Sequence, residues 1–218
     1  MEDESKQETA LCRDVGSSID GILLADFVKP APGEFLAELG SGCGEVLLQV
    51  AYSNPDVHID GLEIQEELVK IAKKRLLKSN VGESIRLFLG DVLCPPREMG
   101  HESYHHVFTN PPYFKVGTGR LPPDKQRALA RFEQKGTLAD FIACGAKLLC
   151  NGGVLYLIHR PERKNEIFTE LNKVGLQPVR QCSVHDRINS PEVLLLIAAK
   201  KIEKASLVVE HPLFINKL

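Results

Sequence analysis

The chain has 218 residues, 27 basic against 29 acidic, a formal net charge of −2, and 43% apolar and 26% charged residues. Those proportions exclude intrinsic disorder and the collagen-like and coiled-coil classes, and leave a globular chain long enough to bury a core. The longest uninterrupted apolar run is seven residues, Val193 to Ala199, against the roughly 20 that a membrane-spanning helix needs, so no membrane partner is expected.

Residues 1–14 read as an acidic flexible tail and residues 15–218 as a single domain. The opening Met1-Glu2-Asp3-Glu4-Ser5-Lys6 has neither the apolar core of an export signal nor an Arg-rich transit pattern, which predicts a cytoplasmic protein. Six cysteines (Cys12, Cys43, Cys94, Cys144, Cys150, Cys182) lie without C-x-x-C or zinc-type His spacing. They read as reduced structural thiols, and no metal is expected.

From Ser17 the spacing of Ile19, Ile22, Leu23 and Phe27 predicts a helix, with Ser17 or Ser18 as N-cap and Pro30 beyond its end. Short apolar runs then alternate with helices. Runs fall at 34–39, 57–62, 85–89, 104–109 and 154–158, with helices predicted over 45–52, 65–78, 138–149 and 161–174. Thr137-Leu138-Ala139-Asp140 resembles a capping box, Asn151-Gly152-Gly153 reads as a turn, and 115–126 as a polar loop. Two late runs, 177–184 and 193–199, have no long helix between them and should pair antiparallel at one edge, with Lys200 to Lys204 a solvated strand end. The pattern predicts an α/β fold: a seven-stranded, mostly parallel sheet with an antiparallel edge and helices on both faces. Ligands of such sheets sit beyond the carboxyl ends of the strands, at the topological switch point.

Three motifs occupy those ends. Glu38-Leu39-Gly40-Ser41-Gly42-Cys43-Gly44 follows the first run; its glycines let the backbone turn sharply and a ligand approach closely, and its acid can accept from an amine or hydroxyl. The spacing is G-x-G-x-G and not the dinucleotide fingerprint. Glu63, in Gly61-Leu62-Glu63-Ile64, is placed to bind both hydroxyls of a ribose, and Asp91, in Gly90-Asp91-Val92, to accept the exocyclic amine of an adenine. Acids at three successive strand ends, with no basic residue near the loop in sequence, describe a pocket for an adenosyl ligand without phosphates. S-adenosylmethionine fits better than NAD or ATP.

Asn110-Pro111-Pro112-Tyr113 directly follows the fourth run. By average composition, Asn-Pro-Pro-aromatic arises by chance in about one chain in a thousand of this length. The prolines stiffen the chain and leave carbonyls free. An sp² amine is a poor nucleophile because its lone pair is delocalised. Accepting its two N–H bonds with the Asn110 carboxamide oxygen and the Pro111 carbonyl favours pyramidalisation and aims the lone pair at a sulfonium methyl. Tyr113 offers a face on which a planar substrate can stack.

In this order, these four motifs resemble the class I S-adenosylmethionine-dependent amino-methyltransferases, a Rossmann-like family. The run 17–27, Arg131-Phe132-Glu133 and Ile158-His159-Arg160-Pro161-Glu162-Arg163 further resemble the bacterial valine-tRNA adenine-N6 methyltransferases, over roughly residues 16–200. The resemblance implies Asp20 and Leu23 beside the methionine end of the cofactor, with Glu38, Leu39, Gly40, Ser41, Gly42 and Gly44 around its amine and backbone. It implies Glu63 and Ile64 at the ribose, Gly90, Asp91 and Val92 at the adenine, and Asn110, Pro111, Pro112 and Tyr113 as the target site, Asn110 also bordering the cofactor. Glu38 stands where many relatives carry Asp.

Between Lys115 and Arg131, the residues Lys115, Arg120, Lys125, Arg127 and Arg131 face Asp124 alone, a net +4 beside the target motif. His159, Arg160, Arg163 and Lys164 could extend a surface that neutralises RNA phosphates. The implied activity is methyl transfer to an adenine N6 in tRNA, with the anticodon loop as the expected location, by a monomer. The alternative is glutamine N5-methylation of release factors, whose enzymes carry an extra N-terminal helical domain; here only about 33 residues precede the first run.

Overall fold

The computed structural model describes residues 19–115, 133 and 135–216. The acidic tail and Arg120, Lys125, Arg127 and Arg131 lie outside the described residues, as does the loop expected at 115–126 apart from Lys115 itself. In chain order the elements are α1 (Ile19–Phe27), β1 (Phe35–Leu39), α2 (Glu45–Ser53), β2 (His58–Glu63), α3 (Glu66–Leu76), β3 (Ile85–Leu89) and β4 (Tyr104–Thr109). There follow α4 (Leu138–Leu148), β5 (Leu149–His159), α5 (Lys164–Lys173), β6 (Leu176–His185), β7 (Glu192–Lys201), β8 (Val208–Val209) and β9 (Leu213–Phe214).

One sheet runs β3-β2-β1-β4-β5-β7-β6-β8, with β9 also on β6. Strands β1 to β5 pair in parallel, and β7 enters antiparallel between β5 and β6. Side chains alternate across the strands, as a period of two requires. Leu36, Phe108, Tyr156, Ile158, Leu194 and Leu196 pack with α1 and α2 residues such as Leu24 and Leu47. Ala37, Val107, Leu155, Leu157, Leu195 and Ile197 pack on the other face with Leu138 and Ile142 of α4 and Ile167 of α5. This is the Rossmann-like arrangement the alternating runs predict.

Four details depart from expectation. The sheet has nine strands and not seven, because β8 and β9 add two short parallel pieces to β6. The Asn151–Gly153 turn lies inside β5: Tyr104 pairs with Leu149, the register shifts, and His106 pairs with Val154, so the extra residues form a bulge that the flanking pairing tolerates. The helix expected from Pro161 begins as a 3₁₀ turn over Pro161–Arg163. Lys201 is no solvated strand end, since its ammonium donates to the Ala146 and Leu149 carbonyls (3.1 and 2.8 Å) and to Glu102 (2.9 Å), capping the end of α4.

Helix α1 is also anchored from β6, at the antiparallel end of the sheet. The Arg180 guanidinium of β6 lies 4.2 Å from the Phe27 ring centre, donates to the Phe27 carbonyl at 3.3 Å and pairs with Glu210 at 2.5 Å. Stacking, helix capping and an ion pair thus converge on the end of α1. Among the described residues, no helix is long and apolar enough to cross a membrane.

Candidate functional site

The chain reverses direction across the sheet between β1 and β4, and the two strand ends are tied together there: the Thr109 hydroxyl donates to the Leu39 carbonyl at 2.8 Å. The glycine loop leaves β1 on one side of this crevice and Asn110 leaves β4 on the other.

Gly40, Gly42 and Gly44 have φ of +74°, +53° and +77°, in the left-handed region that costs side-chain-bearing residues about 1–2 kcal/mol each. The loop is held by β2. The amides of Gly40 and Ser41 donate to the Leu62 carbonyl (2.8 and 3.0 Å), and the Gly42 amide donates to Glu63 Oε2 (2.9 Å). Glu63 Oε1 accepts from the Gln65 amide at 2.9 Å. The acid expected to meet a ribose therefore also fixes the loop and the entry to α3, accepting in addition from the Ile64 amide and the Gln65 side chain. Arg75 of α3 donates to the Cys43 carbonyl at 3.3 Å. The sequence shows no base near this loop; the fold brings one there, where it binds the loop backbone.

Glu38 is 2% exposed and Ser41 5% exposed, and Glu38 Oε2 and Ser41 Oγ are buried without hydrogen-bond partners. Burial, together with the neighbouring Glu63, pushes the Glu38 carboxyl well above the usual carboxylate range, against the pull of the Leu47 amide. Burial also raises Glu63, opposed by the amides it accepts from. Orphaned buried polar atoms are costly and mark places where a ligand completes the bonding. An acceptor and a hydroxyl waiting beside three left-handed glycines fit a ligand carrying an ammonium group and no phosphate.

Past β3, Asp91 forms a tight turn, Oδ1 accepting from the Leu93 amide (2.9 Å) and its carbonyl from Cys94 (3.0 Å). One side-chain oxygen is thus engaged by the turn, and the residue stays part-exposed with Gly90, Val92 and Ile64. Phe141 of α4, unnoticed in the sequence, closes this side: a Cβ on Gly40 would lie 3.4 Å from its ring, and one on Gly136 would lie 3.0 Å from Val92 and 3.2 Å from Phe141. Its only sequence signal is its place on the buried stripe of α4.

Across the crevice, Tyr113 donates its hydroxyl to Asp20 Oδ2 of α1 at 2.7 Å, so the residue expected at the methionine end of a cofactor and the residue expected to stack on a substrate meet directly. The Asn110 side-chain NH2 donates toward the same hydroxyl, which burial and Asp20 push upward while Asn110 and Arg160 oppose them. Leu23 and Tyr113 are both partly buried against the same apolar cluster. The Tyr113 ring lies 5.0 Å from that of His159, tilted by 56°. His159 ends β5, is fully buried and accepts the Arg160 amide on Nδ1 at 2.8 Å. Burial and the Arg163 charge push its pKa down to about 4. The sequence counts His159 with the basic surface beside Arg160, but a fully buried imidazole whose pKa is pushed down offers no charge to a phosphate.

The basic residues divide. Arg160 is exposed, next to Tyr113. Lys115 is half-exposed and pairs with Glu166 at 3.0 Å. Arg163 departs from the expected phosphate contact: its side chain is 10% exposed and its nitrogens donate to Glu133 (2.6 Å) and Glu166 (2.6 and 3.1 Å). A guanidinium occupied in this way has little left for a phosphate.

Fold and loop together define a Rossmann-like class I methyltransferase. The chain matches the methyltransferase small domain family over residues 13–179 and belongs to that family. Among curated proteins it is similar to the tRNA1(Val) (adenine(37)-N6)-methyltransferase of Histophilus somni strain 129Pt, 29% identical over 195 residues, spanning 87% of this chain and 80% of that protein. It is similar to the enzyme of the same name from Yersinia enterocolitica, 26% identical over 187 residues, 84% of this chain and 72% of that one. Among solved structures, a predicted O-methyltransferase, protein Atu636 from Agrobacterium tumefaciens, superposes with a TM-score of 0.75 at 24% identity, covering 91% of this chain and 88% of that one. A geranyl diphosphate methyltransferase in complex with SAM superposes with a TM-score of 0.61 at 12% identity, over 84% of each chain.

Proposed function

We propose that this protein is an S-adenosylmethionine-dependent methyltransferase that modifies the exocyclic N6 of an adenine in tRNA, an anticodon-loop adenosine being the expected target. The observation that carries the reaction is the placement of Asn110-Pro111-Pro112-Tyr113 across the β1–β4 crevice from the glycine loop, with Thr109 bonded to Leu39 between them. The name shared by relatives over most of the chain supports the substrate. A tRNA substrate accords with a cytoplasmic protein, and the continuous sheet accords with one domain over residues 15–218.

S-adenosylmethionine, when bound, supplies an electrophilic methyl on a sulfonium. Glu38 and Ser41 would accept and donate at its amino-acid end with Asp20 and Leu23 nearby, Glu63 and Ile64 at the ribose, and Asp91 and Val92 at the base. Asn110 and the Pro111 carbonyl accept the two N–H bonds of the target amine, and this orients its lone pair. No strong base is needed, because transfer discharges the sulfonium and the proton leaves afterwards to water. An unpaired anticodon loop lowers the cost of extruding the base. Arg160 and Lys115, exposed beside the target motif, would meet a phosphate backbone.

Tritiated S-adenosylmethionine is offered to unmodified bulk tRNA and, separately, to release-factor protein. Label in N6-methyladenosine is expected, lost in Asn110→Ala while that variant still binds the cofactor. Label in glutamine would overturn the substrate, and full activity of Asn110→Ala would overturn the mechanism.

A further inference from the structure

Residues 114 and 133, far apart in sequence, meet beside the target motif: the Glu133 amide donates to the Phe114 carbonyl at 2.9 Å. The Glu133 carboxylate, 6% exposed, accepts on Oε1 from the Leu138 amide at the first turn of α4 (2.9 Å) and from Arg163 Nη1 (2.6 Å). Arg163 turns its other edge to Glu166 of α5, donating through Nε at 3.1 Å and Nη2 at 2.6 Å. Glu166 in turn meets the Lys115 ammonium at 3.0 Å. These contacts hold Glu166 down to about 2, Arg163 being the first cause.

Arg163 therefore stands between two carboxylates, each tied back to one of the two residues that follow Tyr113. Glu133 reaches Phe114 through the backbone, and Glu166 reaches Lys115 through its side chain. The other end of the target motif is fixed by β4 and Thr109, and its aromatic member by Asp20. The Arg163 fork thus ties the residues just downstream of Asn110–Tyr113 to the first turns of α4 and α5. Two carboxylates on adjacent edges of one planar group require a guanidinium; an ammonium can satisfy one at a time.

We propose that Arg163 is a positioning residue: through Glu133 and Glu166 it clamps Phe114 and Lys115, and so sets the Asn110 carboxamide and Pro111 carbonyl for the amine, without touching substrate or cofactor. The proposal rests on the methyl-transfer reading above. It differs in outcome from a phosphate contact, which would weaken RNA binding uniformly and lower the salt slope by about one.

The test compares Arg163→Lys, Arg163→Met and the double variant Glu133→Gln/Arg163→Met with the full-length parent. The double variant leaves no unpaired charge at Glu133, so it guards against misfolding of the single one. Initial rates with tritiated S-adenosylmethionine and unmodified tRNA are taken over a salt series, and amide hydrogen exchange at Tyr113 to Lys115 is followed in the protein alone. Displacing the amine-binding carbonyls should lower kcat roughly 10- to 100-fold in Arg163→Met. Arg163→Lys should fall between it and the parent, and the double variant should be no worse than Arg163→Met. The tRNA KM, its salt slope and cofactor affinity should hold, while exchange at Tyr113 to Lys115 quickens. A raised KM with a shallower salt slope and intact kcat would make Arg163 a phosphate contact; unchanged kcat would overturn positioning whatever the exchange. If the parent transfers no label to tRNA, the methylation reading fails, and exchange alone decides the clamp: unchanged exchange overturns it.

Discussion

The Glu38 carboxyl is 2% exposed, leaves Oε2 without a partner and feels the charge of Glu63. Glu38→Gln keeps the shape, removes the titration and can still accept the Leu47 amide. In the wild type the unfolded carboxyl ionises near pH 4.3 while the folded one keeps its proton to a much higher pH. The fold therefore loses stability as pH rises between the unfolded and folded pKa values, and nothing below them. The amide escapes that loss, so the variant should match the wild type at pH 4 and exceed it increasingly above. Relief of strain at a functional site is typically worth about 0.5–2 kcal/mol, and Tm moves by roughly 2–4 °C per kcal/mol in a chain of this size, so Tm at pH 7 should rise by about 1–8 °C. An ammonium beside Glu38 would let the carboxyl ionise and accept a charge-assisted hydrogen bond worth about 1.5–3 kcal/mol, which the amide cannot match, so S-adenosylmethionine binding should weaken by about 10- to 150-fold. Calorimetric melts at pH 4 and 7, with titration of the cofactor at pH 7, read both effects. A variant less stable than wild type at pH 7, or a difference that stays flat with pH, would refute the argument that burial and Glu63 raise this carboxyl.

His159, held down to about 4 from 6.5, must be deprotonated to fold, so stability should fall as pH drops through that window by up to about 3 kcal/mol. His159→Gln should flatten the acid limb in urea melts between pH 4 and 7; an unchanged limb counts against this origin. Gly61→Ala would put a Cβ 2.7 Å from Leu47 Cδ1, 2.8 Å from Leu87 Cδ2 and 3.1 Å from Ser41 Oγ. Overpacking of this kind should cost about 1–3 kcal/mol and, by shifting Ser41, weaken cofactor binding; a urea midpoint and affinity both unmoved would show that the crevice gives way freely. Arg180→Met removes the stack on Phe27 and the cap on α1, with an expected loss of about 1–2 kcal/mol and faster amide exchange confined to α1. Unaltered exchange there would mean that α1 is held by its apolar face alone.

Much of this fold is legible locally. Strand runs 85–89 and 104–109 coincide with β3 and β4, because short runs rich in apolar and aromatic residues between turn signals already mark strands of a sheet covered on both faces. The capping box at Thr137 and Asp140 forms as its spacing predicts. Where a local signal and sheet pairing compete, the sheet wins: Asn151-Gly152-Gly153 has every mark of a turn, and Gly152 does adopt φ of +78°, yet β5 runs through it because β4 offers partners on both sides of the shift. Strands of two residues, such as β8 and β9, carry no period at all and exist only as additions to β6.

The site divides along the same line. The glycines and acids at strand ends are readable because a tight turn and a polar ligand each restrict the residue type at that position. Partners are not readable, because they come from elsewhere in the sheet: Tyr113 and Asp20 meet across 93 residues, Arg163 and Glu133 across 30. A basic residue counted from sequence supplies a sign and no address. Arg160 and Arg163 are three positions apart in one motif, and both read as phosphate ligands. The 3₁₀ turn between them aims the first outward and the second into two waiting carboxylates. Charge near a site therefore argues for a polyanion only after the carboxylates that could absorb it have been located. At this site that subtraction leaves Arg160 and part of Lys115 to the substrate, and assigns Arg163 to holding the target motif in place.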